Sequence, residues 1–161
     1  MQKLRITAVN VCRFVLAATF IFSGYVKAID PLGTLYKLKD YAAAMSLNGL
    51  LPDWVLVGVA IALGALEFAL GVFMLFAVRR HVVSRITLAF MTAMTVLTLW
   101  IFVADPVKDC GCFGDALELT NGETLLKNIV LIACAALVAW RPADMARFIS
   151  RSNQWIVRYY T

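Results

Sequence analysis

The sequence predicts an all-α membrane protein: a four-transmembrane-helix bundle with an outer interfacial helix and a cytoplasmic amphipathic tail helix. Apolar residues make up 62% of the 161 residues and charged residues 16%, against about 45–50% and about 25% in soluble domains. Four stretches approach the roughly 20 apolar residues that a spanning helix needs. They lie at about 6–29, 54–78, 86–104 and 124–140. We therefore expect one transmembrane domain over residues 1–140 and a separate tail over 141–161.

The first span begins like a secretory signal peptide, because Lys3 and Arg5 precede an apolar run. The run is too long for such a peptide, it contains Arg13 and Lys27, and no convincing small-residue cleavage site follows it. We therefore expect the first span to be a retained helix.

A short amphipathic helix is predicted directly after the first span. Asp30 can cap its N-terminus and Pro31 suits its first position, while Asn48 and Gly49 provide a stop. The pattern favours a helix lying on the outer surface, either as an interfacial anchor or as a lid over the loop between the third and fourth spans. Its apolar residues recur at three- and four-residue spacing: Leu35, Leu38, Tyr41 and Met45.

The third and fourth spans have recognisable ends. Pro106 disfavours helix at Asp105 and ends the third span. Thr120 and Glu123 form a capping-box pattern that opens the fourth. Basic residues alternate with apolar ones in the tail 141–161, which predicts a helix on the cytoplasmic leaflet.

Charge is divided unequally between the two sides of the predicted bundle. The side with both termini has ten basic residues and one acid, Asp144, whereas the other side has five lysines and eight acids. The positive-inside rule then places both termini in the cytoplasm and segments 30–53 and 105–123 outside, in the periplasm if the membrane is a bacterial inner membrane. The net charge of +5 thus reflects topology and attraction to anionic lipid, and nucleic acid is not an expected partner. The ten basic residues are Lys3, Arg5, Arg13, Arg79, Arg80, Arg85, Arg141, Arg147, Arg151 and Arg158.

The pair Cys110 and Cys112, separated by Gly111, is the chemically informative feature of the outer loop. Gly111 permits the turn that a disulfide between them requires, and so small a ring is strained and easily reduced. An exposed loop in an oxidising compartment favours a dithiol that cycles with a disulfide. A static disulfide staple is the alternative. A metal site is disfavoured, because two cysteines supply half of a zinc shell and the only histidine, His81, is predicted on the opposite side.

Cys12 and Cys134 are predicted to be buried, inert thiols. Counted from the outer helix ends at about 1.5 Å per residue, they lie at depths of about 25 and about 15 Å and should not bond each other. The sequence therefore shows no cysteine relay across the bilayer. An electron source or sink for the loop pair must be a partner protein or a bound quinone.

Arg13 and Glu67 are predicted to form an ion pair inside the membrane. The same counting places them at about 24 and about 20 Å from the outer face, and an unpaired charge at that depth is costly. The pair either holds the bundle together or forms part of a proton or ligand site. Lys27, near the outer end, is expected to extend its amine to the interface.

Three features of the sequence point to a known family: Arg13 with the segment Phe22 to Gly33, Glu67 followed by Gly71, and the string Asp109 to Gly114. In these features the chain resembles the DoxX-like membrane proteins, and within them the redox-associated MauE/DoxX branch. The resemblance spans nearly all of residues 6–140 and implies a four-helix membrane bundle in which Cys110 and Cys112 are the redox pair, supported by Gly111, Phe113 and Gly114. For the MauE branch it also implies a link with methylamine utilisation, as a helper in maturing a disulfide-rich subunit of methylamine dehydrogenase.

The leading functional hypothesis is a membrane redox helper, whose loop cysteines exchange disulfides with a periplasmic thioredoxin-like protein or a maturing client. One alternative is a nonenzymatic assembly or scaffold protein with a structural cysteine pair. Another is a helix bundle that binds a quinone or another small molecule, which requires an internal cavity.

Overall fold

The structure, a computed structural model, describes residues 2–44, 52–104 and 120–146. Four of its helices are long and apolar enough to cross a membrane: Gln2–Ile29, Asp53–Leu75, Arg80–Ala104 and Asn121–Trp140. This confirms the predicted helical protein with four spans. The elements are α1 (Gln2–Ile29), α2 (Pro31–Ala44), α3 (Asp53–Leu75), α4 (Arg80–Ala104), α5 (Asn121–Trp140) and a 3-10 turn, Pro142–Asp144.

Two ends of the bundle follow from the connectivity. The loop end carries the last residue of α1, Ile29, and the first residue of α5, Asn121. The tail end carries Gln2, the turn between α3 and α4, and Trp140.

The helices extend beyond the apolar stretches at the tail end. Helix α1 begins at Gln2 and α4 at Arg80, four and six residues before the predicted spans. Hydropathy reports where lipid contacts the chain, whereas backbone hydrogen bonding continues into the polar interface. Helix α3 instead ends at Leu75, three residues early, because the chain turns through Ala77 and Arg79 with positive φ angles of 53° and 40°.

Both predicted helix caps are present. Helix α2 begins at Pro31, and the Asp30 carboxylate accepts a hydrogen bond from the Gly33 N–H at 3.0 Å. The Thr120 hydroxyl accepts from the Glu123 N–H at 3.3 Å, while the Thr120 N–H donates to Glu123 Oε2 at 3.0 Å. The predicted stop of α2 at 48–49 lies outside the described residues, and its position at the membrane surface stays a prediction.

Close contact between α1 and α3 organises the loop half of the bundle. A Cβ atom on Gly24 would lie 2.5 Å from the Phe68 backbone nitrogen and 2.7 Å from the Gly64 carbonyl oxygen. A Cβ on Gly71 would lie 2.7 Å from the Ile21 nitrogen. Because only glycine fits at these points, the two backbones are locked in one register, in the small-residue packing typical of helices in lipid.

The start of the tail folds back onto the tail end of the bundle. Asp144 forms an ion pair with Arg5 at 2.9 Å, and Asn10 donates to the Asp144 carbonyl oxygen at 3.2 Å. The Ala146 N–H donates to Asn10 Oδ1 at 2.9 Å. Residues 141–146 therefore form a docked turn; the rest of the predicted tail helix, 147–161, lies outside the described residues.

Candidate functional site

The predicted cysteine pair belongs to a segment that the structure does not describe. Cys110, Gly111, Cys112, Phe113 and Gly114 all lie in 105–119. This segment connects residue 104, the end of α4, with residue 120, the cap of α5, and both of these residues lie at the loop end. The described residues nearest to it along the chain therefore belong to the loop half of the bundle.

A buried polar cluster lies in this loop half, between α1 and α3. Lys27 Nζ lies 2.7 Å from Glu67 Oε2 and 2.7 Å from Ser23 Oγ, and the Ser23 hydroxyl donates to the same carboxylate oxygen at 2.6 Å. The side chains of Lys27 and Glu67 are only 4% and 5% exposed. The cluster is thus a desolvated ion pair with a bridging hydroxyl, in which both charges are compensated at short range.

Glu67 therefore has a different basic partner from the one predicted, and the expected Arg13–Glu67 pair does not form. The prediction assumed that α1 and α3 end at the same level. Glu67 lies 14 residues, about 21 Å, into α3, whereas Ser23 lies only six residues, about 9 Å, from the end of α1. The glycine contacts place these two residues side by side, so Arg13 lies about 15 Å further toward the tail end.

Arg13 is completely buried and lies close to the docked tail. Its guanidinium donates to the Ala146 carbonyl oxygen and lies 4.6 Å from the centre of the Phe14 ring. A carbonyl oxygen carries partial negative charge, so this contact stabilises the guanidinium cation. Arg13 thus belongs to the tail end and holds residue 146 in place.

Lys27 was expected to extend its amine to the interface, but its side chain lies inside the bundle. Its Cβ faces the bare backbone of Gly64, from which an added Cβ would be 3.0 Å away, and this directs its side chain into the bundle. Helix α2 packs against α3 and α1 at the same end. The Lys27 amine is therefore paired with the buried Glu67 carboxylate and not with interfacial water.

The two remaining cysteines are neighbours, contrary to the depth estimate. The Cys12 and Cys134 thiols lie near enough to interact electrostatically, and both are free and half-buried. Part of the error comes from α5, which begins at residue 121 and not at 124, adding about 4.5 Å to the depth of Cys134. They pack against the apolar core of the bundle but are half-buried, where full burial was predicted, and the predicted separation in depth is wrong.

All five helices contribute to a pocket beside the buried ion pair. Its volume is about 130 Å³ and it is partly open. Ser23, Lys27 and Glu67 form part of its wall, and Thr34 of α2 and Asn128 of α5 add polar groups. Four further residues with polar groups line it: Thr19 of α1, Lys37 and Tyr41 of α2, and Lys127 of α5. The remaining lining residues are apolar: Phe20, Leu38, Leu63, Phe90, Met91, Met94, Leu97 and Leu131.

The hydroxyl of Thr34 has no hydrogen-bond partner within the described ranges, although the residue is only 4% exposed. Asn128, also buried, donates to the Thr98 hydroxyl at 3.2 Å. Sequence reasoning missed Ser23, Thr34 and Asn128. A signal was available for Ser23, because it lies one helical turn before Lys27 on the same face of α1.

Comparison with known proteins gives one decisive match. Residues 5–141 match the family described as Methylamine utilisation protein MauE. The chain belongs to the MauE family. The matched range in this MauE family member begins in α1 and ends just after α5, so it contains all four spans and the segment with Cys110 and Cys112. No curated protein and no solved structure matches the chain. The predicted wider link to DoxX proteins stays a prediction.

Proposed function

We propose that this multi-pass member of the MauE family exchanges thiols and disulfides through Cys110 and Cys112. The partner is a periplasmic thioredoxin-like protein or a client that acquires its own disulfides. The observation that carries the proposal is the family match, which runs through the loop with its two cysteines two residues apart. The family description supports a client connected with methylamine utilisation.

The exchange is balanced in either direction. One thiolate attacks a sulfur of the partner disulfide, a mixed disulfide forms, and the second thiol displaces it. Two thiols on one protein thereby become a disulfide while the disulfide on the other becomes two thiols. A single round requires no further oxidant.

The proposed orientation places the loop end in the periplasm and the tail end in the cytoplasm of a bacterial inner membrane. The tail end carries Arg5, Arg80 and most of the other basic residues, and Arg5 is already paired with the acid on that side, Asp144. This distribution supports the orientation through the positive-inside rule. The same orientation gives the loop cysteines an oxidising compartment and access to secreted clients.

The test is to trap the mixed disulfide. Replacing Cys112 with Ala should leave Cys110 joined to its partner, visible as a reductant-sensitive band when intact membranes are run on a nonreducing gel. A Cys134→Ala variant is the matched control, because that cysteine lies within α5, and it should give no new band.

The scaffold alternative makes the opposite prediction. If the Cys112→Ala variant traps no protein and the native pair stays oxidised in mild reductant, the pair is a structural staple. In that case the proposed exchange is wrong and a nonenzymatic assembly role is the better explanation.

A further inference from the structure

The pocket at the loop half of the bundle has the size of a single-ring binding site. Its volume is about 130 Å³, close to the roughly 150 Å³ of a dry apolar cavity that accommodates benzene. Phe20 and Phe90, which both line it, lie edge to face with ring centres 5.4 Å apart. Because the pocket is partly open, a substituent on a bound ring can project outward.

Two oxygen atoms in the pocket wall are available to a ligand. Thr34 Oγ1 is buried and has no partner among the described residues. The hydrogen bonds to Glu67 from Ser23 and Lys27 all reach Oε2, so within the same part of the chain Oε1 accepts none. Buried polar atoms are normally satisfied, so an unpartnered hydroxyl in a pocket wall indicates a bound polar group.

These atoms favour a neutral ligand whose oxygens are carbonyl oxygens in one redox state and hydroxyl groups in the other. The Thr34 hydroxyl can donate to a carbonyl, and Glu67 Oε1 can only accept, from a hydroxyl. A second carboxylate in the pocket would lie beside Glu67, whose charge is already matched by Lys27. Lys37 and Lys127 also line the pocket, and each already has an interaction of its own. An apolar ring with carbonyl oxygens in one redox state and hydroxyl groups in the other is a quinone.

We propose that this pocket binds the ring of a lipid-soluble quinone, with Thr34 and Glu67 as the groups that recognise its oxygens. The apolar side chains contact the ring faces, and the substituent leaves through the open side. This inference goes beyond the proposed thiol exchange and does not depend on whether the loop cysteines react.

The experiment uses the full chain in phosphatidylcholine nanodiscs and a photoreactive azido derivative of a short-chain benzoquinone. After illumination, the labelled peptides are mapped by mass spectrometry. We expect label on residues that line the pocket, such as Met91 and Leu131, and its loss when excess ubiquinone-1 is present. Label confined to lipid-facing residues, or insensitive to the competitor, would overturn the proposal.

A substitution at Thr34 provides the second test. Thr34→Val keeps the shape and removes the hydroxyl, and loss of one hydrogen bond should weaken quinone binding about fivefold. Thr92→Val is the matched control, since the exposed Thr92 bonds only to the Leu88 carbonyl of its own helix. Equal affinities of the two variants would contradict the assigned role of Thr34.

Two further controls separate this proposal from its alternatives. Decanoate, an anionic amphiphile, should compete much less than ubiquinone-1; equal competition would show a site for anions and not for quinones. A chain with both Cys110 and Cys112 replaced by serine should bind as the wild type does. Failure of disulfide trapping would therefore leave this inference standing, and failure of quinone labelling would leave the proposed thiol exchange standing.

Discussion

Removing Lys27 should destabilise the protein far more than removing a comparable surface lysine. In Lys27→Met the methionine keeps the helix propensity of lysine but leaves the Glu67 carboxylate, 5% exposed, with Ser23 as its remaining donor in the cluster. Breaking a buried ion pair by removing one partner costs roughly 3–5 kcal/mol, because the other charge stays desolvated. We expect a loss of that size in the free energy of unfolding.

The matched control is Lys39→Met. Lys39 pairs with Asp53 at 2.9 Å, almost the same distance, but these side chains are 39% and 73% exposed. Exposed pairs contribute at most about 1 kcal/mol. Both variants remove an ion pair, so the difference between their losses in the free energy of unfolding measures the effect of burial.

The measurement is the unfolding of each variant from dodecylmaltoside into increasing SDS at pH 7, followed by circular dichroism. A double variant, Lys27→Met with Glu67→Gln, removes the stranded charge and should recover roughly 2–4 kcal/mol of the loss. A loss no larger than that of Lys39→Met, or a double variant as unstable as Lys27→Met alone, would refute the reasoning.

Three other predictions use the same protein preparation. Gly24→Ala should lower the free energy of unfolding by at least about 2 kcal/mol, because the added Cβ would collide with backbone atoms. Gly58→Ala, whose Cβ would have no atom within 4 Å, should be neutral or stabilising in the same unfolding assay. Equal effects of the two substitutions would exclude the close contact at Gly24. Thr120→Ala should cost about 1 kcal/mol by removing the cap of α5, and no change in stability would show that the cap is dispensable. In a chain without the loop cysteines, oxidation by copper–phenanthroline should join Cys12 and Cys134 in a disulfide within one monomer, so that both thiols are lost together. Replacing either cysteine with serine should leave the other thiol unoxidised. Independent loss of the two thiols would argue against their proximity.

Features set by a few neighbouring residues were predictable from the sequence. Asp30 and Pro31 begin α2, and Thr120 with Glu123 begins α5, because a cap depends on the hydrogen bonds of one helical turn. The number of spans was equally accessible, since it depends on the apolar content of each stretch.

The partners of buried polar groups were not predictable in the same way. Counting residues from each helix end assumes equal levels, yet the register of α1 on α3 is fixed by contacts at Gly24 and Gly71. Because of this register, Glu67 pairs with Lys27, and Arg13 donates to a backbone carbonyl oxygen. Such a register is a property of two surfaces together, and neither segment of sequence contains it alone.

The contacts at the tail end also determine when the fold can be completed during biosynthesis. Asn10 and Arg13 are made long before the residue that joins them, because Ala146 follows them by 136 and 133 positions. Ala146 lies six residues after Trp140, the end of the last span, so it is made directly after that span. The contacts at the tail end can therefore form only after the last span has been made, and a chain truncated after Trp140 would contain all four spans without these contacts.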